Sequence, residues 1–243
     1  MPMADNQHVT SDGTPAWPRS SLLGRLDPAD RQRLTSLGTR AVFPERHVLI
    51  GQGARDDHII LLVQGLAKIV VYTETGHEAL LAVRMGGDLV GEMASLGGKP
   101  RSANVIACVR TSARLIPADL FGAFLKRNPS VSFEAARMLS ERLRWANEQR
   151  VAFADLPARK RVARILVEIA QTYGHNTADE KWDLGVHLSH AELAAFAGVG
   201  LSAAEKSLRW LQESGAIARG YREVTVTNMS LLLDLAGRDA TNP

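Results

Sequence analysis

Glu92 and Arg101 stand in one glycine-rich stretch, and together they could hold an anionic, hydroxylated ligand. The stretch runs Gly86-Gly87-Asp88-Leu89-Val90-Gly91-Glu92-Met93-Ala94-Ser95-Leu96-Gly97-Gly98-Lys99-Pro100-Arg101-Ser102-Ala103. The planar fork of Arg101 matches two oxygens of an anion such as a phosphate. Ser102 adds a hydroxyl and a backbone N–H. Gly91 lets the backbone approach a ligand closely. Met93 to Leu96 reads as a short helix whose free N–H groups favour an anion. The acceptor-only carboxylate of Glu92 suits a ligand hydroxyl. The plainer alternative is a Glu92–Arg101 ion pair in a silent pocket.

A second constellation lies near the C-terminus. Ser189-His190-Ala191-Glu192 has the S-x-x-E spacing of a capping box, in which the serine and glutamate satisfy two orphan N–H groups. Leu193, Phe196 and Ala197 give the following helix an apolar side, and Gly198 supplies a tight turn. Ser202-Ala203-Ala204-Glu205 repeats the capping spacing and predicts a second helix. That helix would bury Ala204, Leu208 and Leu211 and stop at Ser214-Gly215. Two short helices across a glycine turn form the helix-turn-helix pattern, whose second helix enters the major groove of DNA. The outward residues Ser202, Lys206, Arg209 and Trp210, with Ser189, His190 and Ala203 at the helix starts, are the candidate DNA contacts. Ile217 to Gly220 and Tyr221 to Thr227 can pair as a wing. A helical hairpin with no nucleic-acid role is the alternative. Arg159, Lys160, Arg161 and Arg164 could face phosphates or form a solvated charge run.

The elements that must position these groups follow from pattern. Residues 1–20 are polar, with Gly13, Pro15 and Pro18, and read as a flexible tail. Asp27-Pro28 starts a helix that reaches about Leu37. From Ala41 to Ile116, short β-rich runs alternate with Gly-bearing turns: Val48 to Ile50, Ile59 to Val63, Ile69 to Tyr72, Ala79 to Val83 and Asn104 to Val109. Such spacing predicts a small antiparallel barrel or sandwich. Asn128-Pro129 precedes a long helix, about Ser130 to Phe153. Along it Ala136, Leu139, Leu143, Ala146, Arg150 and Phe153 follow an a/d spacing, with Arg150 as a polar member. That seam fits a dimer partner or packing on the chain's own barrel. Asp155-Leu156-Pro157 breaks the helix as a hinge. A helix from Arg159 to about Tyr173 carries the stripe Val162, Ile165, Leu166, Ile169. A polar connection over 175–187 holds a short strand near Trp182 to Val186.

Bulk properties exclude several classes. The chain has 243 residues, 45% hydrophobic and 23% charged, which suits one large or two small globular domains. Its net charge is +3, but residues 156–243 hold ten basic and ten acidic side chains. Any DNA affinity must therefore come from placed residues and not from a basic surface. One cysteine, Cys108, excludes an intramolecular disulfide framework and a four-cysteine zinc or iron–sulfur site. In its apolar strand it reads as core. His187 and His190 lack a third ligand and read as surface histidines. Apolar runs such as Ile59 to Val63 are far too short to span a bilayer. No secretory signal is read at the N-terminus, so a cytoplasmic protein is expected. No nucleophile–base–orienter set is found, so no enzyme is expected.

The stretch from Gly86 to Ala103 resembles the phosphate-binding cassette of cyclic-nucleotide-binding domains. With the β-rich region, the long helix and the helix-turn-helix, the chain resembles the cyclic-AMP receptor protein / fumarate-nitrate regulator superfamily over about residues 20–235. The resemblance implies an α+β fold: an antiparallel β-roll at 21–128, a dimerisation helix and hinge at 129–156, and a winged helix-turn-helix at 157–243. It implies a homodimeric transcription regulator that binds a near-palindromic duplex operator and works with RNA polymerase. Its effector would be a cyclic nucleotide, cyclic AMP or cyclic GMP, held by Gly91, Glu92, Met93, Arg101 and Ser102. The resemblance places the base contacts at Ala146 and Asn147; Ala146 has no hydroxyl, so Asn147 alone would remain as a base contact, and cyclic AMP, cyclic GMP, another ligand or none stays open. The start of the recognition helix, Leu201-Ser202-Ala203, departs from the Arg-Glu-Thr of members that read TGTGA half-sites. Leucine and alanine cannot make a bidentate guanine contact, so a different operator is expected. A silent or altered pocket, and a signalling module whose winged helix contacts protein, are the competing readings.

Overall fold

The computed structural model describes residues 17–74, 76, 78–176, 181–186, 188–220 and 223–237. The chain divides into two compact units, residues 1–72 with 81–144 and residues 73–80 with 145–243. Residues 1–16 of the expected tail, His187 and the first two residues of the second wing segment, Tyr221 and Arg222, lie outside the described residues.

The first unit opens with α1 (Leu22–Arg25) and α2 (Pro28–Ser36). The Asp27 carboxylate accepts from the Asp30 N–H, and Pro28 occupies the first turn, where its missing N–H costs nothing. The expected tail ends sooner than residue 20. The Trp17 ring N–H donates to the Val63 carbonyl at 2.8 Å, so an aromatic anchor fixes the chain there. The strands are β1 (Thr39–Phe43), β2 (Val48–Ile50), β3 (Ile59–Gln64), β4 (Leu66–Tyr72), β5 (Glu78–Met85) and β6 (Leu89–Val90). After α3 (Glu92–Gly97) come β7 (Asn104–Ala107) and β8 (Thr111–Ile116). They form two sheets, ordered β1-β8-β3-β6 and β2-β7-β4-β5.

Strand β3 shows why its sequence is apolar without alternation. Ile59 and Leu61 pack into a core with Leu22, Leu34, Ile116 and Phe121. Ile60 and Leu62 pack on the other face with Ile50, Ala67, Val105 and Ala113. All four are fully buried, each contributing roughly 1.5–3 kcal/mol over an exposed position. A strand covered on both faces reads as a continuous apolar run. Helices α4 (Ala118–Arg127) and α5 (Pro129–Asp155) follow. Val131, Ala135 and Met138 of α5 close the first core.

The second unit contains α6 (Ala158–Tyr173), β9 (His175–Asn176), β10 (Trp182–Asp183), α7 (His190–Phe196), α8 (Leu201–Glu213), β11 (Ile217–Gly220), β12 (Glu223–Val226) and α9 (Met229–Ala236). The four strands form an antiparallel sheet ordered β11-β12-β10-β9. Helix α6 packs against α7, α8 and α9. Its buried stripe is therefore wider than expected and includes Ala163, Val167 and Ala170. Pro157 separates α6 from α5, as the helix break in the sequence requires. Among the described residues no helix is long and apolar enough to cross a membrane.

Candidate functional site

The cassette turns on Gly91. Its φ of +83° lies in the left-handed region, and a Cβ there would sit 2.7 Å from Arg101 Nη1 and 2.8 Å from Ile50 Cδ1. Both backbone and space therefore demand glycine. Helix α3 starts immediately after it. Arg101 arrives from the chain before β7, and it is buried at 3% exposure.

The guanidinium is fully engaged. Nε donates to Asp56 Oδ1 at 2.5 Å, and Nη2 pairs with the same carboxylate. Nη2 also donates to the His58 carbonyl at 2.5 Å. Nη1 donates to the Gly91 carbonyl at 2.7 Å and to the Ser95 hydroxyl at 3.3 Å. The Glu92–Arg101 pair of the plainer alternative does not form. Glu92 is buried and accepts from Arg142 Nη1 at 2.7 Å. Arg142 also donates to the Leu89 carbonyl at 3.1 Å and to Asp88 Oδ1 at 3.3 Å. Two buried charges are thus each compensated, as burial demands. Met93 and Ser102 are exposed beside them. Asn147 is exposed on the part of α5 that belongs to the second unit.

Asp56 and Arg142 carry this arrangement, and sequence reasoning missed both. They come from elements 45 and 50 residues away from their partners. The signal available was an acidic pair, Asp56-Asp57, in a turn after Gly53, and an arginine on the long helix one turn beyond Met138.

In the second unit, Ser189 caps α7 as a full capping box. Its hydroxyl accepts from the Glu192 N–H at 3.2 Å, and Glu192 Oε2 accepts from the Ser189 N–H at 2.8 Å. The second expected box does not form. Gly200, extended at φ −69° and ψ 153°, is the N-cap of α8, so Ser202 already lies inside the helix. The glycine-bounded turn starts the helix two residues earlier than the serine spacing indicates. Helix α8 buries Ala204, Ser207, Leu208 and Leu211 and exposes Ser202, Glu205, Lys206 and Arg209. Ala203 is half-buried, and Trp210 lies under the Arg159 guanidinium, 5.4 Å from its ring centre. His190 stands between two charged groups: Arg219 Nη2 at 3.4 Å from Nε2, and Glu205 at 4.0 Å from Nδ1. Arg219, on the wing strand β11, is a further cation that the sequence reading passed over.

Two arginines of the basic run on α6 are engaged within the unit. Arg161 Nη1 donates to the Gly198 carbonyl at 3.0 Å and its guanidinium lies over Phe153. Arg164 Nε donates to the Ala236 carbonyl at 3.0 Å. These arginines close helix ends and turns within the unit. Among the described residues no group of three His, Cys, Asp or Glu side chains gathers as a metal site.

Two family models match the chain: the cyclic nucleotide-binding domain over residues 40–128 and the Crp-like helix-turn-helix domain over residues 160–235. The chain is similar to the cyclic AMP receptor protein of Thermus thermophilus, 28% identical over 219 residues, covering 89% of this chain and 97% of that protein. It is similar to a CRP-like cAMP-activated global transcriptional regulator of Mycobacterium tuberculosis, 25% identical over 218 residues, covering 88% and 95%. The c-di-GMP responsive global regulator CLP of Xanthomonas campestris has a similar fold, with a TM-score of 0.72 at 19% identity, covering 82% and 99%.

Proposed function

Because the chain belongs to the cyclic-AMP receptor protein / fumarate-nitrate regulator family of transcription regulators, we propose that it is a homodimeric, cytoplasmic switch on DNA, set by an anionic effector of the cyclic-nucleotide class. The observation that carries the reading is the Gly91–Arg101 contact: a buried guanidinium meets a backbone position that has no room for a side chain. That is the local chemistry a cyclic phosphate needs. Glu92 is the ribose acceptor, and Met93 and Ser102 flank the ligand.

The recognition surface is the exposed side of α8. Ser202, Lys206 and Arg209 read the operator, and Ser189, His190 and Ala203 support the contact near the phosphates. Two copies meet through α5, along which Phe133, Leu143, Val151 and Phe153 are exposed apolar residues. The operator is a near-palindrome, and RNA polymerase is the partner at the promoter.

Electrophoretic mobility of genomic fragments tests the reading. Retarded fragments are expected at low salt, and Lys206→Ala with Arg209→Ala should weaken them about tenfold or more, since each good base contact is worth roughly 1–3 kcal/mol. No retarded fragment, with or without nucleotide, overturns it. A second reading, a silent or altered pocket, is favoured by one observation: the N–H groups of Arg101 already have protein acceptors. Calorimetry with cyclic AMP and cyclic GMP separates the two.

A further inference from the structure

We infer that Asp56 is a built-in competitor for the effector: its carboxylate occupies the edge of Arg101 that a ligand phosphate would take. The inference rests on the effector reading of this site and goes one step past it, to what sets the affinity.

An arginine has five N–H donors, and acceptors stand opposite all of them here. One edge, Nε with Nη2, faces Asp56. The other donors meet the His58 and Gly91 carbonyls and the Ser95 hydroxyl. Those acceptors are fixed. Ser95 Oγ donates to the Asp57 carbonyl at 2.6 Å, tying α3 to the loop before β3. The Gly53 N–H donates to the Arg101 carbonyl at 2.8 Å, and the Arg101 N–H donates to the Ala54 carbonyl at 2.9 Å. The loop backbone is thus pinned on both sides of the arginine.

The Asp56 side chain differs from these acceptors. It is 41% exposed, against 1% for that of Arg101, so it can swing into water without disturbing the backbone. His58 Nδ1, 3.6 Å from Oδ1, lies beside the same carboxylate. The Nε/Nη2 edge is also the one suited to bidentate recognition of two oxygens. An anion therefore enters by displacing Asp56, one negative charge for another. The pinned loop gives the internal carboxylate an advantage that a free ligand lacks. The apparent affinity of the site falls by the fraction of molecules in which the edge is open.

Calorimetric titration of the full chain with cyclic AMP and cyclic GMP tests this. Asp56→Asn keeps shape and an acceptor oxygen while removing the charge; Asp56→Ala removes both and shows whether the ranking continues. The expected result is about tenfold or tighter binding by Asp56→Asn than by the wild type. The gain should disappear when Arg101→Ala is added. Circular dichroism confirms that each variant is folded, and Asp56→Asn decides if the alanine variant is not. Equal affinities of wild type and Asp56→Asn overturn the role of Asp56 and leave the effector reading standing. No heat from either protein with either nucleotide overturns both.

Discussion

Arg25 and Glu141 show how a single pair joins distant parts of the first unit. Arg25 Nη1 and Nη2 donate to the two oxygens of Glu141 at 2.9 and 2.5 Å, linking α1 to α5. The hydrogen bond from Arg25 is the main cause that holds the Glu141 carboxyl below its usual range, with burial opposing it. A lowered carboxylate pKa contributes stability above the ordinary carboxylate range, and that contribution is lost as pH falls through the folded-state value. Glu141 is half-exposed, so the contribution is that of a surface pair, at most about 1 kcal/mol. Glu141→Gln should therefore melt lower than the wild type at neutral pH, and the two should converge in acid. Thermal unfolding across pH checks this; a gap unchanged in acid contradicts it. At this scale the sequence was informative about donors and poor about partners. Gly91, Glu92 and Arg101 could be named because their types and spacing are local. Asp56 and Arg142 could not, because each reaches its partner only through the folding of separate strands and helices.

Helix α5 displays the same contrast at the level of an element. Its a/d spacing was legible, and its bounds differ from the expected ones by a residue or two. Spacing alone left two fates open for the seam. The structure buries Val131, Ala135 and Met138 in the unit's own core and leaves Ala136, Ala146 and Arg150 exposed, with Leu143 at 64%. The helix has one face for its own unit and a second apolar face turned to solvent. An apolar stripe of this kind suits the partner surface that the proposed dimer requires. Leu143→Glu should shift sedimentation from dimer to monomer without loss of helix content. A wild-type monomer, or an unaffected dimer, contradicts the assignment. The N-terminus of α8 was misread because two candidate starts lie two residues apart. Backbone geometry selected Gly200 over Ser202. Strands β1 and β8 went unnoticed because Arg40, Ser112 and Arg114 interrupt their apolar pattern; pairing across the sheet holds them in place.

The whole molecule separates ligand chemistry from nucleic-acid chemistry along its sequence. The cassette lies in the first unit and the helix-turn-helix in the second. The +3 charge of the chain does not come from the DNA-binding half, whose basic and acidic residues balance. Two of its arginines, Arg161 and Arg164, are engaged in holding a turn and a helix end. The remaining candidates for phosphate and base contact are few, which makes the affinity of the proposed dimer dependent on the placing of its two recognition helices. An effector that alters that placing should couple to DNA by roughly 1–3 kcal/mol, about 5–150-fold in affinity. The most direct test is fluorescence anisotropy on a duplex selected from a randomised pool by the protein itself, with and without saturating cyclic AMP or cyclic GMP. One nucleotide should change operator affinity at least about fivefold; an affinity unchanged by both would contradict effector control of DNA binding.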